Sequence, residues 1–201
     1  MFDLSFWQVL LRASAGIVIL TVHGASIALI ARLLGDSGPK HDGRLSLNPF
    51  AHVAVLGLLS IVAARVGWIK PVALDARAMR AGRAGLLVCA LGALLITLAM
   101  AHGVHALRPL VVSSWPADSS PHVIGWIATF SSVSVWFVLV NLLPLPPLTG
   151  GLLIAALWPA AYQRILAHVF WVGVGLAAIF VVTRGIGFLE YLRPAVRFLE
   201  P

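Results

Sequence analysis

The chain has 201 residues, 60% of them hydrophobic and only 10% charged, with a mean hydropathy of +0.99. A soluble domain of this length needs far more charge to cover its surface, so the composition excludes one and points to an integral membrane protein. The net charge of +7 then marks a face in contact with anionic lipid of the bilayer, not a nucleic-acid footprint.

A spanning helix needs about 20 mostly apolar residues. Four segments reach that length: Phe6–Leu34, uncharged from Ala13 to Ala31, then 85–107, 123–143 and 165–183. A fifth run, 50–66, would reach about 25 Å as a straight helix; a short span, a re-entrant piece and an interfacial helix all stay open for it. No cleavable leader is expected, because the first apolar run is too long and no small-residue cleavage site follows a short core. Loop 67–83 holds Lys70, Arg77, Arg80 and Arg83 against Asp75, with Arg65 just before it, and the positive-inside rule places it in the cytoplasm. Loop 108–121 carries only Arg108 and Asp118 and is expected on the opposite side. That puts 144–164 inside and the tail after Arg184 outside, although Arg184, Arg193 and Arg197 pull against an outside tail. A single transmembrane domain over 1–183 is expected, followed by a tail, 184–201. There Phe188, Leu189, Tyr191, Leu192, Val196 and Phe198 mix with charges, as in an interfacial helix. Trp115, Trp126, Trp158 and Trp171 fall near the expected span ends. Cys89, the single cysteine, sits in an apolar stretch and has no partner for an intrachain disulfide.

Within the first span, "TVHGASIALI" (21–30) sets His23 in an apolar run with no acid and no second ligand at helical spacing. Three later stretches also resist explanation by propensity: "GDSGPKHDGRLSLNPFAHVAVLG" (35–57), "GWIKPVAL" (67–74) and "NLLPLPPLTGG" (141–151). Broken helices at membrane depth are costly because freed backbone groups need partners, so they occur mostly where they line a cavity or hold a site. Taken alone, the last stretch also reads as a turn that ends a helix.

In this order the stretches resemble the site-2 protease family of intramembrane zinc metalloproteases, particularly its small bacterial members without added domains. The resemblance covers roughly residues 15–155. It rests on Gly35–Asp36, on Gly43, Arg44, Asn48 and Pro49 with His52, on Gly67, Trp68, Lys70 and Pro71, and on Asn141, Pro144, Pro146, Pro147, Gly150 and Gly151. It implies an all-α polytopic fold with four or five membrane segments. It also implies a zinc site in which a His-Glu-x-x-His helix and an aspartate from a Leu-Asp-Gly stretch supply three ligands and a base.

At the positions the resemblance assigns, this chain keeps His23 but has Gly24 for the glutamate, Ile27 for the second histidine and Thr149 for the aspartate. The family's His-x-Asp-Pro reads His52-Val53-Ala54-Val55, and "CALGALL" (89–95) has no clear counterpart of the family's Ala-Gly-Pro. One ligand and no base do not make a hydrolase, so the expectation is a pseudoprotease with no catalytic residue, no metal and no cofactor. An orphan carboxylate in a span costs about 2.5–3.5 kcal/mol on insertion scales, and Gly24 and Ile27 remove that burden. Gly24 and Ala28 also form a small-xxx-small pair that lets another helix approach closely, and the alternative, that Gly24 is merely tolerated, stays open.

The expected role is an accessory or structural subunit of a larger complex in the bacterial cytoplasmic membrane, with other integral membrane proteins as partners. Two rivals remain. One is a divergent metalloprotease using His23 with His52 or Thr149. The other is a cofactor or pigment site on His23, His102 or His168. His102 and His105 otherwise read as interfacial histidines, Thr129, Ser131, Ser132 and Ser134 as a polar pocket or interhelical hydrogen bonds, and His52 and Asn48 as ties for their connector.

Overall fold

The computed structural model describes residues 5–183 and 188–201, and every regular element among them is helical. The first helix, α1 (Phe6–Leu34), starts at Ser5, whose hydroxyl accepts the Gln8 N–H at 3.2 Å. It ends where Gly35 takes φ 115°, a left-handed conformation suited to glycine. The Gly35 and Asp36 amides then close onto the Arg32 and Ala31 carbonyls, satisfying groups the helix end would otherwise orphan.

Two one-turn helices follow in the connector, α2 (Gly38–His41) and α3 (Pro49–His52), and then α4 (Val55–Ala64). The ten residues of α4 make a helix about 15 Å long, half of what a bilayer core requires. The chain then turns at Arg65 and comes back alongside. Val53 pairs with Ile69 in an antiparallel bridge, and the Lys70 N–H donates to the His52 carbonyl at 2.8 Å. The return leg lies so close that a Cβ on Gly57 or Gly67 would collide with the other leg's backbone. The run 50–66 is therefore the first leg of a hairpin, not a straight span. Its turn end is held by Arg12 of α1, whose guanidinium donates to the Val62 carbonyl at 2.8 Å and caps α4.

The second and third full-length spans are α5 (Arg83–His105), which runs on through the short α6 (Arg108–Ser114), and α7 (Ser120–Asn141). Helix α7 runs parallel to α1, since Trp7 meets His122, Ser14 accepts from Trp126, and His23 meets Phe137. Helix α5 is antiparallel to both, bringing Ile30 to Gly92, His23 to Thr97 and Ser131 to Ala101. After α7 come α8 (Gly151–Leu157), α9 (Pro159–Ala167) and α10 (Val169–Thr183). The last helix, α11 (Phe188–Leu199), docks on α7, burying Val196 and leaving Tyr191 and Phe198 exposed.

The all-α polytopic expectation holds: among the described residues three helices are long and apolar enough to cross a membrane, with a fourth if α9 and α10 count as one broken span. That pair bends by 76°, so the segment read as 165–183 is not one straight helix. His168 sits exposed at the bend, where the α9 ladder breaks, rather than inside a span. Arg65 does not belong with the basic loop. It lies at the far end of the hairpin, beside Arg12 and Ser132, because α4 carries it away from Lys70. Trp126 is no interfacial anchor either. It stacks on Phe130 at 5.0 Å and donates to Ser14, so it cements α7 to α1. Trp115, Trp158 and Trp171 are exposed. Of the tail, Arg184 lies outside the described residues.

Candidate functional site

His23 is fully buried in the middle of the three-helix core. Its Nδ1 lies 2.9 Å from Thr97 Oγ1 on α5, and its Nε2 lies 2.8 Å from Thr149 Oγ1 in the turn after α7. The ring meets Phe137 edge-on at 4.9 Å. Thr97 Oγ1 also reaches the Ala93 carbonyl at 2.8 Å, and Thr149 Oγ1 reaches Asn141 Oδ1 at 3.2 Å. This is a chain of four links with a pure acceptor at each end.

A neutral imidazole and two hydroxyls supply three hydrogens for those four links, so one link stays empty. The longest is Thr149 to Asn141, and Asn141 Oδ1 already accepts the Thr149 N–H at 3.0 Å. The imidazole tautomer sets which link is empty: with the proton on Nδ1, His23 donates to Thr97 and accepts from Thr149, and with it on Nε2, His23 donates to Thr149, whose hydroxyl donates on to Asn141. Both ring nitrogens face a threonine hydroxyl in either case.

Asn141 holds the site together. Its Nδ2 donates to the Gly67 carbonyl at 2.8 Å and to Phe137 at 2.9 Å, while its carbonyl accepts the Gly150 N–H at 2.6 Å. One buried amide therefore joins the end of α7, the return leg of the hairpin and the turn that presents Thr149. In that turn Pro144 is exposed, while Pro146 and Pro147, joined by a cis peptide, are buried with Gly150 and Gly151. Trp68, also buried, packs against Gly173 of α10.

The connector motifs lock to one another through backbone carbonyls. Buried Asp36 accepts the Gly38 N–H on Oδ1 and the Asp75 N–H on Oδ2, each at 2.8 Å. Gly43 turns the chain at φ 68°. Arg44 then donates to the Ala51 and Pro71 carbonyls, and Lys70 donates to Phe50 at 2.8 Å. Asn48 caps α3 through the Phe50 N–H, with Pro49 in its first turn.

His52 does more than tie the connector. Its Nε2–H donates to the Ser46 carbonyl at 2.8 Å, which leaves the lone pair on Nδ1. That nitrogen is buried without a partner among the described residues and faces Gly24, where a Cβ would collide with the ring. The room at Gly24 is thus taken by an imidazole, not by a packed helix as the small-residue spacing suggests. Burial pushes the His52 imidazole below the ordinary histidine value; the Ser46 bond opposes that shift, and the Arg44 and Lys70 charges add to it.

Ile27 lines a pocket of about 30 Å³ together with Thr149 and Pro146. That is room for about one or two waters. Thr97 is the member of the site that sequence reasoning missed; its signal is a hydroxyl in an otherwise uncharged part of α5, opposite His23 in the antiparallel register. The structure does not bring the other histidines here. His102 is exposed and bonds Leu98 of its own helix, and His105 lies three residues further on. Among the four α7 hydroxyls, Thr129 bonds back to Gly125, Ser131 crosses to Ala101, Ser132 meets Arg65, and Ser134 is buried without a partner among the described residues. Among the described residues no three of His, Cys, Asp and Glu converge as a metal site would require.

Comparison with known proteins finds a similar chain in Bacillus subtilis (strain 168), "Putative zinc metalloprotease YwhC". It is 32% identical over 155 residues, an alignment covering 71% of this chain and 67% of that one. No protein-family model matches the chain, and no solved structure gives a significant match.

Proposed function

We propose, from the premise that this chain belongs to the site-2-protease-like family of membrane zinc metalloproteases, that it is a non-catalytic member whose helix framework docks other transmembrane helices as a subunit of a larger membrane complex. The observation that carries this reading is the closed hydrogen-bond chain through His23, in which both ring nitrogens are taken by threonine hydroxyls. A catalytic zinc site takes three protein donors and keeps a fourth position open. The donors here do not fit that requirement. Ile27 has no donor atom, the Thr149 hydroxyl is engaged, and the base position holds Gly24 with the His52 ring against it. Docking is the remaining use of such a framework, and α5 presents Val88, Leu91 and Leu95 outward as an apolar face.

Zinc analysis of the purified full-length chain, with cleavage of a single-span reporter in vesicles, tests the catalytic half. The expected result is zinc far below one per chain and no cleavage, with or without added zinc. One zinc per chain that is lost in His23→Ala, together with metal-dependent cleavage, would instead establish a divergent protease, the reading favoured by the name of its relative. Photo-crosslinkers at Leu91 and Leu95 in native membranes test the docking half. Reproducible crosslinks to defined membrane proteins are expected, and a partner-free monomer defeats the subunit role.

A further inference from the structure

A cavity of about 790 Å³ opens where α5 begins, bounded by residues 72–83, α8 and α9. Its volume lies within the roughly 300–1,000 Å³ typical of small-molecule sites. Arg77, Arg80 and Arg83 stand at its mouth, and among the described residues none of the three guanidinium groups has a hydrogen-bond or ion-pair partner. Asp75 is the acidic residue in the lining, and its Oδ1 accepts the Arg77 backbone N–H at 2.8 Å. The start of α5 adds to the same field. This 23-residue helix has no side-chain cap and no acid in its first turn, so its positive end is unanswered.

The placement of these cations matters as much as their number. Arg83 is the first residue of a span, and the Arg80 N–H donates at 2.8 Å to the carbonyl of Leu34, the last residue of another. The arginines thus stand at the depth where two spans end, which is the headgroup region of a bilayer. Leu86, one turn into α5, and Leu152 continue the cavity wall inward, with Leu166 across from them.

We propose that this cavity binds an anionic phospholipid, its phosphate against Arg77, Arg80, Arg83 and the start of α5, and an acyl chain along Leu86, Leu152 and Leu166. A soluble anion uses the cations and leaves the leucine wall wet. A zwitterionic lipid covers the wall but brings its own ammonium beside the phosphate, which offsets the attraction to three guanidiniums. The order of polarity from rim to depth is that of one anionic lipid molecule. This inference is independent of whether the His23 site is catalytic.

The test titrates the full-length chain in neutral detergent with phosphatidylglycerol, phosphatidylcholine or inorganic phosphate, and reads retained lipid by native mass spectrometry. Phosphatidylglycerol is expected to bind at least about tenfold more tightly than phosphatidylcholine, because only the latter sets a choline ammonium against the three guanidiniums. Combined Arg77→Gln, Arg80→Gln and Arg83→Gln should weaken phosphatidylglycerol by about tenfold or more, and the cavity-filling Ala155→Phe should do the same without changing charge. Lys40→Gln, on the nearby connector but outside the cavity, should change binding by less than about twofold. Equal binding of both lipids, or a loss in Lys40→Gln as large as in the triple variant, would overturn the proposal in favour of diffuse surface charge. Displacement of phosphatidylglycerol by inorganic phosphate at equal concentration would overturn it in favour of a free-anion site, and displacement by a soluble acidic peptide in favour of a peptide site.

Discussion

The arginine-rimmed cavity shares Val72, Leu152, Tyr162 and Leu166 with the small pocket beside Thr149 of the His23 site, yet the two regions follow opposite rules. At His23 nearly every polar atom has a partner inside the protein, and the residues are sealed from solvent. At the cavity three charges have no partner among the described residues and the space is open. The difference teaches where this chain can still take a ligand. A saturated network gains nothing from a guest unless it first gives up its own bonds, whereas unpaired cations beside an apolar wall gain from one directly.

The sharpest way to break the sealed site is Asn141→Leu. It orphans the Gly67 carbonyl and the Thr149 amide together, and a loss of about 3–4 kcal/mol is expected in denaturant or thermal unfolding of the detergent-solubilised chain. Next comes Gly24→Ala, whose methyl group has no room beside His52; overpacking should cost about 1–3 kcal/mol. Pairing it with His52→Ala should cost less than the sum of the two single variants, and strict additivity would mean that the ring is not what fills the space. Thr97→Val removes the hydroxyl that faces His23 Nδ1 and should cost about 1–2 kcal/mol, with His23→Leu added on top costing little more.

Acidification offers a reversible and partial version of the same weakening. Because burial holds His52 below the ordinary value of 6.5, the unfolded chain binds its proton first as pH falls. Stability from this residue is complete above that value and declines below it, so the acid sensitivity of wild type should exceed that of His52→Ala in thermal unfolding scans. The smallest effect belongs to the other region. Arg77→Gln should change stability by no more than about 0.5 kcal/mol, since its guanidinium supports no internal contact. A loss as large as that of Thr97→Val would show that the cavity is structural and erase the contrast.

Much of this architecture was legible in the residues. The uncharged run 13–31 and its flanks announced α1 with its observed ends, and α5 and α7 came within two and three residues of their observed boundaries. The motif stretches were recognisable because buried turns need particular residues: Asp36, Arg44, Asn48, Lys70 and Asn141 each satisfy backbone groups that no helix could. Hydropathy did not reveal which way the 50–66 run turns, since an apolar hairpin has the same composition as a short span. It also could not place Arg65, which the turn separates from Lys70 at the other end of the hairpin.

The sequence by itself determined that the chain is an all-α membrane protein, where its long helices run, and which residues (Gly24, Ile27 and Thr149) stand at the positions the resemblance assigns to the base and the other ligands. Only the tertiary structure decided what those residues touch. Thr97 is 74 positions from His23 and Thr149 is 126, and no local periodicity carries information across such separations. Their meeting depends on the antiparallel register of α1 and α5 and on a turn that Asn141 folds back into the core. The same packing put the His52 ring against Gly24 and set α8 and α9 against the basic loop to enclose one cavity.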